Sequence, residues 1–118
     1  MRKYEWLVMS KCDPDHRDEF NTWYDEVHLA DLLKIPGIVG ARRFDLSPFQ
    51  STTDPETGGI MVSEGDALPG QFPFLAIYEF ETDDVKWVME EIVRRSGTPD
   101  MVISEHLRDV SMHLYEPR

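Results

Sequence analysis

Apolar residues along the chain recur with two periods, two and roughly three and a half, and the switches between them mark out six elements. Residues 4–10 (YEWLVMS) are aromatic and branched and too few for a stable helix, which predicts a first strand with most positions buried. Asp13 and Pro14 then open a helix, Asp13 as the cap and Pro14 at the first position, where a missing N–H costs nothing. The helix is expected to run to about Leu33. Phe20, Trp23, Val27 and Ala30 define its packing face, and Tyr24, His28 and Asp31 or Leu32 form a second line beside it. Pro36 and Gly37 turn the chain into a strand over residues 38–46, with Ile38, Gly40, Arg42, Phe44 and Leu46 on one face and Val39, Ala41, Arg43 and Asp45 on the other.

The most apolar segment, residues 72–80 (FPFLAIYEF), predicts a central third strand. Thr82 caps a second helix whose buried stripe is Val85, Val88, Met89, Ile92 and Val93, with Arg94 and Arg95 at its negative end. Residues 99–105 suggest one short helical turn. Residues 108–116 alternate Val110, Met112 and Leu114 against Asp109, Ser111 and His113, as a last strand would. The order strand, helix, strand, strand, helix, strand is that of an α+β ferredoxin-like βαββαβ domain: a four-stranded antiparallel sheet with two helices on one face. Both parities of the first and third strands are apolar. The face without helices is therefore expected to pack on a copy of itself, giving a two-fold homodimer.

Length changes the picture little: 118 residues suit a single domain, 1–118. Within it, the long connection 47–71 is rich in Pro, Gly, Ser, Thr and Asp around a short apolar island, Ile60-Met61-Val62, and reads as a functional lid or a mobile insertion. Charge excludes more. With 23 acidic against 12 basic residues the net charge is −11, which argues against nucleic acid and anionic membrane as partners. No apolar run reaches the length of a membrane span. Cys12 has no cysteine to pair with, and Glu5 interrupts any signal-peptide core, so the expected location is cytoplasmic.

The candidate chemistry gathers on the first helix and the strand after it. His28 titrates near neutral pH and can take and return a proton; Asp25 or Asp31, one turn to either side, can hold its imidazole in one tautomer. Tyr24 stands one turn before His28 and can donate to a developing enolate. Arg42 and Arg43 point to opposite faces, and Arg42, sharing its face with Ile38 and Phe44, is the one expected inward, as a fork for a carboxylate or enolate. Tyr78, Trp6, Trp23 and Phe74 are aromatic packing with a second use as walls for a flat substrate. No His-x-His, His-Glu-x-x-His or paired-cysteine spacing is present, and no glycine-rich phosphate loop, so neither a metal nor another cofactor is expected. His106, in a loop, and His113, on a polar strand face, are weak candidates, and Cys12 reads as an inert thiol.

On Trp23-Tyr24-Asp25-Glu26-Val27-His28, then Leu32-Leu33, Pro36-Gly37 and Ala41-Arg42-Arg43-Phe44, together with the element order, the chain resembles the dimeric α/β barrel superfamily, and within it the EthD-like branch. The resemblance implies a homodimer whose two sheets form a barrel, a pocket for a hydrophobic or aromatic small molecule, and His28 in the place of the family histidine. Relatives include polyketide cyclases, methylmuconolactone and muconolactone isomerases, and cofactor-free monooxygenases. The 47–71 insertion departs from the shorter members. The expectation is a small cofactor-independent cyclase or isomerase that removes a proton beside a carbonyl, with His28, Tyr24, Asp25 and Arg42 catalytic and Trp23, Tyr78, Trp6, Phe74 and Arg43 binding substrate. The alternatives are a non-catalytic small-molecule-binding or stress-associated dimer, and a cofactor-free monooxygenase.

Overall fold

The computed structural model describes residues 1–68 and 70–118. Its strands are β1 (Arg2–Cys12), β2 (Ile38–Asp45), β3 (Phe49–Thr53), β4 (Ile60–Glu64), β5 (Phe74–Thr82) and β6 (Leu107–Tyr115). Four of them form an antiparallel sheet in the order β2-β5-β1-β6, with the two most apolar strands innermost. This is the ferredoxin-like arrangement expected from the element order. Tyr4, Trp6, Val8 and Ser10 of β1 and Phe74, Ala76, Tyr78 and Phe80 of β5 are all buried, and they share the face that the helices cover.

The first helix, α1 (residues 14–33), is continuous but not uniform. A 3₁₀ turn at Pro14–His16 leads into α-helix at Arg17–Trp23, a π turn at Tyr24–His28, and α-helix again at Leu29–Leu33. Asp13 caps it as expected, accepting from the Asp15 amide at 3.0 Å. The π turn corrects the predicted packing face. A regular α-helix would carry Leu32 about 120° around the axis from Phe20, and the one extra residue of a π turn takes back about 100° of that. Phe20, Tyr24 and Leu32 therefore stay in line and are buried, with His28 between them, while Val27 is turned out to 43% exposure and Ala30 is exposed. Phe20 and Trp23 of the predicted packing face keep their place on the core, and beyond them the line predicted to run beside it takes over from Val27 and Ala30.

A second one-residue irregularity corrects β2. The register against β5 slips between Ile38, which pairs with Phe80, and Gly40, which pairs with Glu79. Beyond this bulge the parity is reversed: Ala41 and Arg43 join Ile38 on the helix side, and Arg42 goes to the outer face with Phe44. Just before it, Gly37 holds φ +100°, and a Cβ there would meet Val88 at 2.8 Å, so the reversal and the close approach of the second helix both need glycine.

The second helix, α2, is Val85–Arg95. Its cap is Asp84, which accepts from the Trp87 amide at 3.0 Å, and not Thr82, because Thr82 is still paired in β5 opposite Arg2. The Thr82 hydroxyl instead supports the cap by accepting from the Asp84 amide. Val88 and Ile92 are buried as expected, and Val93 is exposed. Glu91 is buried beneath Arg94 and Arg95, both of which donate to it.

The 47–71 connection contains a β-hairpin, β3 against β4, that pairs with neither edge of the main sheet. Its tip is closed by the Asp54 amide donating to Gly59 at 2.7 Å, and its base by the Leu46 amide donating to Pro73 at 2.9 Å. The island Ile60-Met61-Val62 is β4, and it is solvent-exposed. Across its Cα atoms the molecule measures 48 × 40 × 17 Å, and the short dimension holds one sheet and one layer of helices. The outer sheet face is consequently bare, with Leu7, Met9, Leu75 and Ile77 only half buried. Among the described residues no helix is long and apolar enough to cross a membrane.

Candidate functional site

Between the helix-side face of the sheet, the C-terminal half of α1, α2 and the 96–107 loop lies a cavity of about 560 Å³. Its walls are Trp6 and Val8 of β1, Tyr78 of β5, Val110, Met112 and Leu114 of β6, Met89 and Ile92 of α2, and Met101, Ile103 and Leu107 of the loop. From α1 the same line of residues that the π turn brings into register, Tyr24, His28 and Leu32, reaches the cavity together with Trp23. Three polar atoms on this apolar wall have no hydrogen-bond partner among the described residues: Ser10 Oγ, Tyr78 Oη and His28 Nδ1. Buried polar groups are nearly always paired, so three beside one cavity mark a place built for something else to bond.

His28 is held by rings. It stacks on Trp23 at 4.5 Å between centroids, 24° from parallel, and meets the edge of Tyr24 at 5.1 Å and 87°. Trp23 is itself fixed, its indole N–H donating to the Val102 carbonyl at 3.0 Å. Burial pushes the His28 pKa down to about 4, the Asp31 carboxylate opposing and the Arg43 guanidinium assisting. At neutral pH the imidazole is therefore uncharged and free to accept. The Tyr24 and Tyr78 hydroxyls face one another without closing a well-formed hydrogen bond, and burial raises the pKa of both, so both are O–H groups across the physiological range.

Several expected site residues go elsewhere. Asp25 does not orient His28; it accepts from Arg43 at 3.0 Å on the far side of the helix. Asp31, the other candidate, pairs with Lys34 at 3.5 Å. Arg42, expected inward, lies on the outer face 3.9 Å from Glu79 because of the bulge in β2. Arg43 takes the inward place instead, its guanidinium 4.2 Å from the centre of the Tyr24 ring and 5.4 Å from that of Phe74. It stands behind Tyr24 and does not line the cavity. Phe74 packs against Phe20 on the opposite side of the core, so it is not a wall of this cavity, whereas Trp6 and Tyr78 are, with their rings 5.2 Å apart. His113 faces outward and meets the Ser111 hydroxyl at 3.0 Å. Ser10 is the participant that sequence reasoning missed; the available signal was a hydroxyl on the otherwise apolar parity of β1.

A somewhat larger cleft, about 620 Å³, lies beyond α1 among Lys11, Cys12, Arg17 and Phe74. Among the described residues no histidine and no unpaired buried polar atom lines it, so the chemistry points to the first cavity. Burial raises the pKa of the Cys12 thiol there, in keeping with an unreactive sulfur.

No family model matches the sequence, and no curated protein does. Solved structures do. A conserved protein from Methanosarcina mazei Go1 aligns over 100% of this chain and 95% of its own, with a TM-score of 0.56 at 12% identity. A dimeric ferredoxin-like protein of unknown function from Thermobifida fusca YX aligns over 98% of this chain and 92% of its own, with a TM-score of 0.51 at 13% identity. An EthD family protein from Bacillus halodurans C-125 spans 100% of both chains, at a TM-score of 0.47 and 14% identity. At these identities the likeness concerns the fold, and the fold is the ferredoxin-like one.

Proposed function

We propose that the chain is a cofactor-independent acid–base enzyme that acts, as a homodimer in the cytoplasm, on a ring-bearing or polyketide-like carbonyl compound held in the cavity of His28. The observation that carries this reading is the set of three buried, unpaired polar atoms, on Ser10, Tyr78 and His28, in residues that line an otherwise apolar space. A flat apolar ligand with one or two oxygens would fill the space and pair them. Neutral His28 would take a proton from the carbon beside the carbonyl and become imidazolium; the C–H electron pair forms the carbon–carbon double bond of the enolate, and the carbonyl π pair moves onto oxygen. Tyr78 or Tyr24, kept protonated by burial, would donate to that oxygen, with Arg43 supplying positive field from behind Tyr24. In a conjugated enolate, return of the proton from His28 at another carbon completes an isomerisation; attack of the enolate carbon on a second carbonyl, with the proton returned from His28 to the new alkoxide, completes a cyclisation.

A basicity near 4 makes His28 a weak base, and no carboxylate orients it. Those two facts favour the second reading, a dimer that binds such a compound without converting it. Deuterium uptake from D₂O beside the carbonyl of aryl ketones and 1,3-diketones, followed by NMR, separates the two. Catalysis predicts uptake that falls by about two to four orders of magnitude in His28→Ala with the fold retained. Saturable binding with no uptake above background would establish the second reading, and uptake unchanged in the variant would remove His28 from the chemistry.

A further inference from the structure

We propose that Asp13, His16 and His106 form a site for a zinc-class divalent transition metal ion, separate from the cavity, that clips the start of α1 to the loop leading into β6. One donor atom from each of the three residues lies within 4.8 Å of the others. The two imidazoles stack at 4.1 Å and 11°, and they present nitrogens to one carboxylate: His16 Nδ1 lies 3.2 Å and His106 Nε2 3.0 Å from the two oxygens of Glu19. Two histidines and one or two carboxylates are the donor set that zinc, cobalt, nickel and copper ions take. Glu19 lies outside this set of three and would have to swing from its bonds to the two imidazoles to join as a fourth ligand.

The scaffold is already fixed on both sides. The Asp13 amide donates to the His106 carbonyl at 2.8 Å, so the two segments are tied at the backbone. The Asp13 carboxylate is oriented by the Asp15 amide on one oxygen, at 3.0 Å, and by Arg108 on the other, at 3.2 Å. The Ser104 hydroxyl accepts from the His106 amide at 3.1 Å, and the His106 side chain is only 14% exposed, which limits the ring to few orientations. Zinc bonds of about 2.0–2.2 Å require the three donors to close on a central ion by no more than about 0.7 Å, a movement that the half-exposed His16 side chain can make. Glu105 lies 3.6 Å from the His106 ring, and with Asp15 nearby the surroundings are acidic, which suits a dication. Binding would stiffen the cavity wall, because Ile103 and Leu107 flank His106 and line the cavity.

Spacing in the sequence does not display this set, since His16 and His106 are brought together only by the packing of α1 against the approach to β6. The test uses the full chain after treatment with EDTA. Titration with Zn²⁺ by calorimetry should give one equivalent per chain at micromolar affinity and a raised melting temperature. Co²⁺ should give visible bands of nitrogen and oxygen ligation without a thiolate charge-transfer band. Removing a ligand should cost more than the about ten- to hundredfold typical of losing a supporting hydrogen bond, so His16→Gln and His106→Ala should each abolish micromolar binding while His113→Ala keeps it. His16 is not part of the core, so His16→Gln decides the matter if His106→Ala does not fold. Absence of saturable micromolar binding, or binding that survives in His16→Gln, would overturn the site.

Discussion

Tyr78 is the residue at which structural and functional roles pull apart most clearly. Its ring is fully buried between β1 and α1, and its hydroxyl has no hydrogen-bond partner among the described residues. Leaving a buried hydroxyl unpaired costs roughly 1–3 kcal/mol. Tyr78→Phe should therefore leave the ligand-free protein as stable or more stable, by up to about 1 kcal/mol in a urea titration, while weakening ligand binding. A clear loss of stability would mean that the hydroxyl is already satisfied. His28 gives the pH counterpart. Its folded-state pKa of about 4 lies below the 6.5 of an exposed histidine, so between those values the unfolded chain binds more protons and stability rises with pH. The full stability is present above about pH 6.5 and falls by about 2 to 3 kcal/mol on descending to about pH 4.5. The share owed to His28 should vanish in His28→Gln, measured as the difference in urea midpoint between neutral and acidic buffer. The two arginines make a third comparison. Arg43→Ala removes stacking on Tyr24 and Phe74 and frees Asp25, and should cost about 2 kcal/mol, whereas Arg42→Ala, on the outer face, should stay within about 0.5 kcal/mol in the monomeric chain. Equal costs would contradict the register of β2.

At the scale of elements, the π turn makes an unusual forecast about a deletion. Removing one residue from a regular helix swings everything beyond it by about 100°, but removing exposed Glu26 from the π turn restores α geometry and leaves Leu32 about 20° from Phe20 around the axis. The deletion should keep helical circular dichroism and melting temperature near those of the parent, while an alanine inserted at the same place should unfold or strongly destabilise the chain by turning Leu32 away from the sheet. If both variants lose stability alike, the π turn is not what sets the register. The same reasoning explains which parts of the fold and site were legible in the sequence. Element type and order follow from periodicity and end signals, as at Asp13 and at Pro36-Gly37, and periodicity survives small errors in boundaries. Two faces were misassigned, that of α1 at Val27 and that of β2 at Arg42, and each has the same physical origin: one extra residue shifts the phase of everything after it without disturbing the pattern on either side. Gly40, a glycine inside a strand, was the one local sign of such a shift. The hairpin of β3 and β4 was not legible because its strands are short and uncovered, β3 mostly polar and β4 led by an unbroken apolar run, so neither carries the alternation of burial that a strand pattern depends on. Of the site, His28, Tyr24 and Trp23 were visible as one helical cluster, while Ser10 required knowing which strand face turns toward the helices.

For the whole molecule, the sheet has one face too many. Leu7 and Met9 of β1 and Leu75 and Ile77 of β5 adjoin one another on the outer face with Phe44 beside them, and only a second body can cover them in a slab 17 Å thick. Around this apolar centre stand Lys3, Lys11 and Arg42 together with Glu5, Glu79 and Glu81, a mixture of signs that lets a two-fold copy pair unlike charges across the axis. The homodimer proposed above would use this face. Opposing it is long-range repulsion between two chains that each carry −11. Contacts at the centre act over a few ångströms and are little affected by salt, whereas the net repulsion is screened beyond about 10 Å at 0.1 M salt. Dimerisation should therefore tighten as ionic strength rises from low values, opposite to an interface held by ion pairs. Sedimentation equilibrium across a salt series measures this directly: the expected result is a dimer at micromolar concentration whose dissociation constant falls with added salt. Ile77→Lys, which plants a charge at the centre without touching the cavity, should give a folded monomer. A wild-type chain that remains monomeric at every salt concentration would leave the outer face without a second copy and would remove the dimer from the functional proposal.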